Sequence, residues 1–285
     1  MKIPAKRSLT TGEKTGIAAF ILAGSFFVLW GPIWSTLPLA GFVLLCLVAP
    51  FATDYGFFLP VVCRGGRNVR SVSLSFDDGP DSMTTPFVLE ILKSYQMPAT
   101  FFVTGKNARS HPDLIARILE QGHTIGNHTY SHDSLIMLKS YQRLKDEINK
   151  TQRVLAAHGI RPLVFRPPAG ITNPKLRPVL AELGLNAVNF SCRAMDKGNR
   201  RIAGIASKIL NRVRPGDIIL LHDSKPWAES PGVPDDTAIS SFLIELGRVL
   251  DGLETQKLSV VPLSELIGQP IMEQVEPIDA FAEWI

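Results

Sequence analysis

The sequence predicts an α/β barrel of seven strand–helix units, smaller than the eight-fold form and closed or nearly so, preceded by a membrane-spanning helical hairpin. Three observations predict it. No Asp, Glu, Lys or Arg occurs from Thr15 to Ala52, a stretch nearly twice the ~20 residues that cross hydrocarbon as a helix. From Val69 onward, short β-branched runs alternate with helical patterns, the rhythm of parallel strands joined by right-handed crossovers. Ionisable or turn-forming residues follow five of the seven runs, at the strand ends where barrel chemistry gathers.

The uncharged stretch divides into Gly16–Trp30, a turn-rich Gly31–Pro38 and Leu39–Phe51. Trp30 and Trp34 beside the turn suit the interfacial belt that indoles prefer. One span plus an interfacial segment, and a buried soluble hairpin, are the alternatives. A cleavable signal peptide fits less well, because the stretch is too long and lacks a small-x-small site before a polar start. Lys2, Lys6, Arg7 and Lys14 against Glu13 give residues 1–14 a charge of +3, and Arg64, Arg67 and Arg70 against Asp54 give residues 53–70 +2. The whole chain is +4, so residues 71–285 carry −1. The basic excess therefore flanks the apolar stretch, which argues against nucleic-acid binding. With both flanks basic, the positive-inside rule keeps both in the cytoplasm, and the large domain with them.

The expected strands are Val72–Phe76, Thr100–Thr104, Thr124–Asn127, Leu163–Arg166, Ala187–Ser191, Ile218–Leu221 and Leu258–Val261. Amphipathic helices are expected at Pro86–Tyr95, stopped by Pro98, and at Leu138–Ala157, with Gly159 just beyond. An open doubly wound sheet is the competing arrangement, but no Gly-rich phosphate loop follows the first strand. The 285 residues are 45% hydrophobic and 20% charged, which excludes collagen, simple disorder and a disulfide miniprotein. Cys46, Cys63 and Cys192 are too few and scattered for a disulfide framework or a Cys-rich zinc site.

The strand ends carry the chemistry. The first ends Ser75-Phe76-Asp77-Asp78-Gly79, the third runs into His128-Thr129-Tyr130-Ser131-His132, and the fourth gives Arg166-Pro167-Pro168-Ala169-Gly170. Cys192-Arg193-Ala194-Met195-Asp196 follows the fifth, and the sixth ends Leu220-Leu221-His222-Asp223. Each alone reads equally well as a turn, a connector, a cap or a solvated pair. Together on one barrel face, two imidazoles and a carboxylate form a three-ligand set with positions left open for water or substrate. A neighbouring carboxylate can take the proton of an activated water, and a histidine across the pocket can protonate a leaving nitrogen.

On these motifs, residues about 70–265 resemble the polysaccharide deacetylase (NodB-like) family, metal-dependent enzymes that remove N- or O-acetyl groups from sugars. The resemblance implies an irregular (β/α)7 barrel. It implies that Asp78, His128 and His132 bind a divalent metal, usually zinc, and that Asp77 is the general base. His222 becomes the general acid, Arg166 orients Asp77, the Ala169 N–H stabilises the oxyanion, and Asp196 supports the catalytic histidine. Two departures stand out. Arg193-Ala194-Met195-Asp196-Lys197 lacks the first aspartate and the tryptophan of the family's fourth motif, and Ala169 replaces an aromatic.

The expected organisation is a basic segment 1–14, a hairpin 15–52, a basic linker 53–70, a deacetylase domain 71–267 and a tail 268–285. The expected function is a two-span membrane protein removing N-acetyl groups from a polysaccharide, oligosaccharide or lipid-linked sugar. A catalytically inactive carbohydrate-binding protein and a deformylase or other amide hydrolase on the same fold are the alternatives.

Overall fold

The computed structural model describes residues 9–66, 70–194, 204–224 and 235–278. Helix α1 (Thr11–Trp30) begins at a capping box, in which the Thr10 hydroxyl accepts from the Glu13 N–H while the Glu13 carboxylate accepts from the Thr10 N–H. Helix α2 (Pro32–Val48) starts one residue after α1 ends. The turn expected over Gly31–Pro38 thus shrinks to Gly31, whose φ of +92° reverses the chain directly. Pro32 fits the first position of α2, where its missing N–H costs nothing. The helices pack antiparallel, yet no residue of α2 is buried, and Phe20, Val28, Ile33 and Leu47 all point outward. Thr11–Trp30 and Pro32–Phe51 are both long and apolar enough to cross a membrane.

The rest alternates strands and helices: β1 (Val61–Val62), β2 (Ser71–Asp77), α3 (Thr85–Ser94), β3 (Ala99–Val103), α4 (Gly105–Ser110), α5 (Pro112–Glu120) and β4 (Thr124–Asn127). Then come α6 (Tyr141–Ala156), β5 (Ile160–Pro162), β6 (Val164–Phe165), α7 (Leu176–Leu183), β7 (Asn186–Val188), β8 (Cys192–Arg193) and α8 (Ile205–Leu210). The chain continues with β9 (Ile218–His222), α9 (Asp235–Thr255), β10 (Ser259–Val260), α10 (Leu263–Ile267) and β11 (Met272–Gln274). The main sheet runs β1-β7-β6-β4-β3-β2-β9-β8, with β10 beside β2, and every strand pair in it is parallel. Residues 189–191 are all that separate β7, next to one end of that order, from β8 at the other end, so this short connection draws the two edges together. The sheet therefore curls round on itself as an irregular (β/α)7 barrel, and the doubly wound alternative falls.

The seven expected strands correspond to β2, β3, β4, β6, β7, β9 and β10. Every residue of β2 and β3 is buried, as expected of parallel strands covered on both faces. Phe76 and Phe101 stack at 5.2 Å between neighbouring strands, and α3, α5 and α9 close over them with Leu89, Ile118 and Leu246. Two boundaries shift. Val61–Val62, inside the expected linker, pairs with β7, and Met272–Gln274, inside the expected tail, pairs antiparallel with β5.

Candidate active site

Asp77 closes β2 and lies in register with His222, the last residue of β9. One residue on, Asp78 has φ +76°, an αL conformation uncommon for anything but Gly, Asn or Asp. Three contacts hold it: its N–H donates to Phe102 O at 3.2 Å, its carbonyl accepts from Asn107 Nδ2 at 2.7 Å, and the next N–H, Gly79, donates to Asp223 Oδ1 at 3.0 Å. A Cβ on Gly79 would lie 2.1 Å from Asp223 Oδ2, so only glycine fits there.

His128 follows β4 directly. Thr129 and His132 take φ of +65° and +53°, and this doubly reversed turn brings both imidazoles to one side, with ring centroids 5.0 Å apart. Asn127 Oδ1 accepts the Thr129 N–H at 3.0 Å, and the buried Glu147 carboxylate accepts from Ser131 N and Oγ, each at 2.8 Å. His132 Nε2 lies 2.9 Å and His128 Nε2 3.4 Å from Asp78 Oδ1. One ligand atom from each of Asp78, His128 and His132 lies within 4.8 Å of the others.

This donor set fits a divalent cation. His128 Nδ1 stands 2.7 Å from the carbonyl oxygen of Arg166, which only accepts, so Nδ1 carries the proton. In the neutral ring Nε2 is then a bare lone pair facing a carboxylate, and two acceptors at that separation need a positive charge between them. A carbonyl fixing the far nitrogen is also the usual outer partner of a metal-binding histidine. Without a cation, protonated imidazoles supply that charge instead: burial works against the Asp78 anion, but hydrogen bonds and charges from His128 and His132 in that form hold its carboxyl well below the usual range. Among the described residues, no other group of three or more such side chains converges in this way.

Arg166 is fully buried and makes four polar contacts. Nη1 donates to Asp77 Oδ1 at 2.6 Å and Ser75 Oγ at 2.9 Å, Nη2 to Asn189 O at 3.0 Å, and Nε to Val188 O at 3.3 Å. Its guanidinium carbon lies 3.9 Å over the Phe102 ring. Burial lowers its pKa and the Asp77 charge opposes that. With Oδ1 of Asp77 engaged, Oδ2 faces the metal-site side, 3.8 Å from His128 Nε2. His222 Nε2 approaches from the neighbouring strand β9, 3.9 Å from Asp78 Oδ2. A cleft of about 240 Å³, lined by Asp78, Thr104, Asn107, Ser131 and His132 among others, opens onto these groups.

The structure thus brings together Asp77, Asp78, His128, His132, Arg166 and His222. Ala169, with φ +55°, is the one exposed residue of the turn Pro168–Gly170 after β6. Asp196 lies outside the described residues, as do residues 1–8 and 279–285. Sequence reasoning gave no role to Asn127, Glu147, Asn189 or Asp223. Asp223 is fully buried, bonded to Gly79 and, through Oδ2, to Thr85 Oγ1 at 2.7 Å, and burial pushes its carboxyl up to about 7. Its position directly after His222 was the available signal.

A family model described as polysaccharide deacetylase matches residues 64–188. A chitooligosaccharide deacetylase of Bradyrhizobium sp. (strain ANU 289) is 34% identical over 199 residues, spanning 69% of this chain and 90% of that protein. The chain belongs to the polysaccharide deacetylase family. A peptidoglycan-N-acetylglucosamine deacetylase of Bacillus cereus is 32% identical over 203 residues, 70% of this chain and 90% of the relative. Among solved structures, the Bc1960 peptidoglycan N-acetylglucosamine deacetylase superposes with a TM-score of 0.65 at 29% identity, covering 74% of this chain and 94% of that one. This polysaccharide deacetylase therefore shares its barrel with them.

Proposed function

We propose that this protein is a membrane-anchored, metal-dependent hydrolase that removes N-acetyl groups from an amino sugar. The observation that carries the reading is the convergence of Asp78, His128 and His132, with the Arg166-held Asp77 beside them. Asp78, His128 and His132 would hold the ion, with zinc the metal best matched to two imidazoles and one carboxylate. When bound, such an ion polarises an acyl oxygen and makes water acidic enough to attack near neutral pH.

The chain's own groups do the rest. Arg166 occupies Oδ1 of Asp77, so the water proton passes to Oδ2 as oxygen adds to the acyl carbon. The Ala169 N–H donates to the oxygen that becomes negative. As the C–N bond breaks, His222 delivers a proton to the nitrogen, and acetate and a free amine leave. Asp196 supports the catalytic histidine in this scheme. An inactive carbohydrate-binding protein has no need of the base, the acid or the buried arginine that fixes the base. The hairpin anchors the enzyme through two spans, with segments 1–14 and 53–70 on the cytoplasmic side and the barrel next to that surface.

The test is acetate release from an N-acetylated chitooligomer by metal-loaded, full-length protein. Stoichiometric acetate and free amine support the reading. Formate release from an N-formyl sugar with no acetate from its N-acetyl counterpart favours the deformylase instead.

A further inference from the structure

The hairpin meets the barrel at its catalytic end. Asn189 Nδ2 donates both to Thr53 O, just past α2, at 2.6 Å and to Gly170 O at 3.0 Å. A Cβ on Gly170 would lie 2.9 Å from the Thr53 methyl. The Asn189 carbonyl in turn accepts from Arg166 Nη2, so a single residue, Asn189, links the hairpin's exit to the side chain that holds Asp77. The amino end of α1 is fastened too: the Gly12 N–H donates to Phe57 O at 2.8 Å, and Glu13 pairs with Arg177 at 3.1 Å.

Beside this joint a cavity of about 420 Å³ opens between α2, the segment after it and the start of α7, within the size range of small-ligand sites. Phe42 and Cys46 of α2 form one wall, Phe57 and Phe58 another, and Pro174 and Pro178 a third, with Thr10, Gly12 and the Glu13–Arg177 pair completing the lining. The first wall belongs to a helix with no buried residue, which exposes Ile33, Trp34, Leu37, Val43, Leu44 and Leu47. The third continues from the turn Pro168–Gly170 that follows Arg166. The loop after His132 adds to the same side: its Ile136 and Met137 pack with Leu59, while Leu135 and Leu138 are 57% and 78% exposed.

We propose that this groove holds the hydrocarbon chain of a lipid-linked amino sugar, placing the sugar's N-acyl group at the Asp77–Asp78–His128–His132 site. The proposal rests on the de-N-acetylase and membrane-anchor readings above. A soluble glycan does not match the six apolar or weakly polar residues Phe42, Cys46, Phe57, Phe58, Pro174 and Pro178, which outnumber Thr10, Glu13 and Arg177 in the lining. A hydrocarbon chain does, and it is already confined to the layer in which α2 lies. The groove therefore works by shape and by the high effective concentration of a substrate held in the same plane.

The experiment compares two substrates with the full-length, metal-loaded protein in detergent micelles: N-acetylglucosamine on a long-chain polyprenyl diphosphate, and soluble tri-N-acetylchitotriose. The expected kcat/KM ratio exceeds ten in favour of the lipid-linked sugar, and Cys46→Trp, which fills the groove, lowers that ratio at least ten-fold. A wild-type ratio near one, or a ratio that Cys46→Trp leaves unchanged, overturns the proposal while leaving the deacetylase reading intact. A second readout needs no turnover. In the Asp77→Asn protein, the lipid-linked sugar slows alkylation of Cys46 by N-ethylmaleimide at least ten-fold and chitotriose does not; no slowing overturns the groove even where neither substrate is cleaved.

Discussion

Asp77 and Asp78 are neighbours in sequence and face different partners because one dihedral turns positive between them. Asp77 ends a strand and meets Arg166; Asp78, at φ +76°, swings towards His128 and His132. That division predicts distinct mutant signatures. Asp77→Asn keeps its metal, measured by elemental analysis, and loses about 10²- to 10⁴-fold in kcat, the usual worth of a positioned base. The pair was legible as a motif, and the roles came from resemblance, but the buried supports were not. Asn127, Asn189 and Asp223 act through contacts whose partners lie 19 to 144 positions away, and only Asp223, directly after His222, had a local signal. A different residue governs acid stability. His123, 5% exposed at the opposite end of the strands, is pushed down to about 4 by burial. Its folded pKa lies below the unfolded value, so the unfolded chain binds the extra proton and stability falls as pH drops from about 6.5 through 4. The loss is at most about 3 kcal/mol. Urea midpoints measured against pH should show that slope in the metal-free protein and a shallower one in His123→Asn.

At the scale of elements, β4 and α6 work as a unit. Asn127, at the end of β4, donates through Nδ2 to Ile148 O and Gln152 Oε1 on α6 while its Oδ1 fixes the turn between the two histidines. Asn127→Ala should therefore cost about 1–3 kcal/mol, since it strands buried polar groups, and should weaken metal binding as well, measured by competition with a chelator. The long periodic elements were readable: α3 and α6 lie within three residues of their expected bounds, and β4 coincides with its own. Strands β1, β5, β8 and β11 were not, because only their partners make these short segments strands. The hairpin turn was misjudged for a related reason. Pro32 reads as a breaker in sequence but sits where a helix accepts it, at the first position of α2.

At the scale of the molecule, the barrel carries an apolar hairpin fastened to the end at which the candidate site lies. The apolar run and its basic flanks were plain in the sequence; the place where the hairpin joins the barrel was not, because Thr53, Asn189 and Gly170 meet only in the fold. The charge pattern predicts that a reporter fused after Ile285 is active in the cytoplasm, and activity on the far side of the membrane would reverse the topology. The central claim is that one ion gripped by Asp78, His128 and His132 drives hydrolysis. The most direct measurement is acetate released from an N-acetylated chitooligomer as metal is titrated into stripped, full-length protein. Activity should rise to a plateau at one equivalent per chain and vanish in the His128→Ala, His132→Ala double variant. Full activity in stripped protein, or an unchanged titration curve in the double variant, would contradict it.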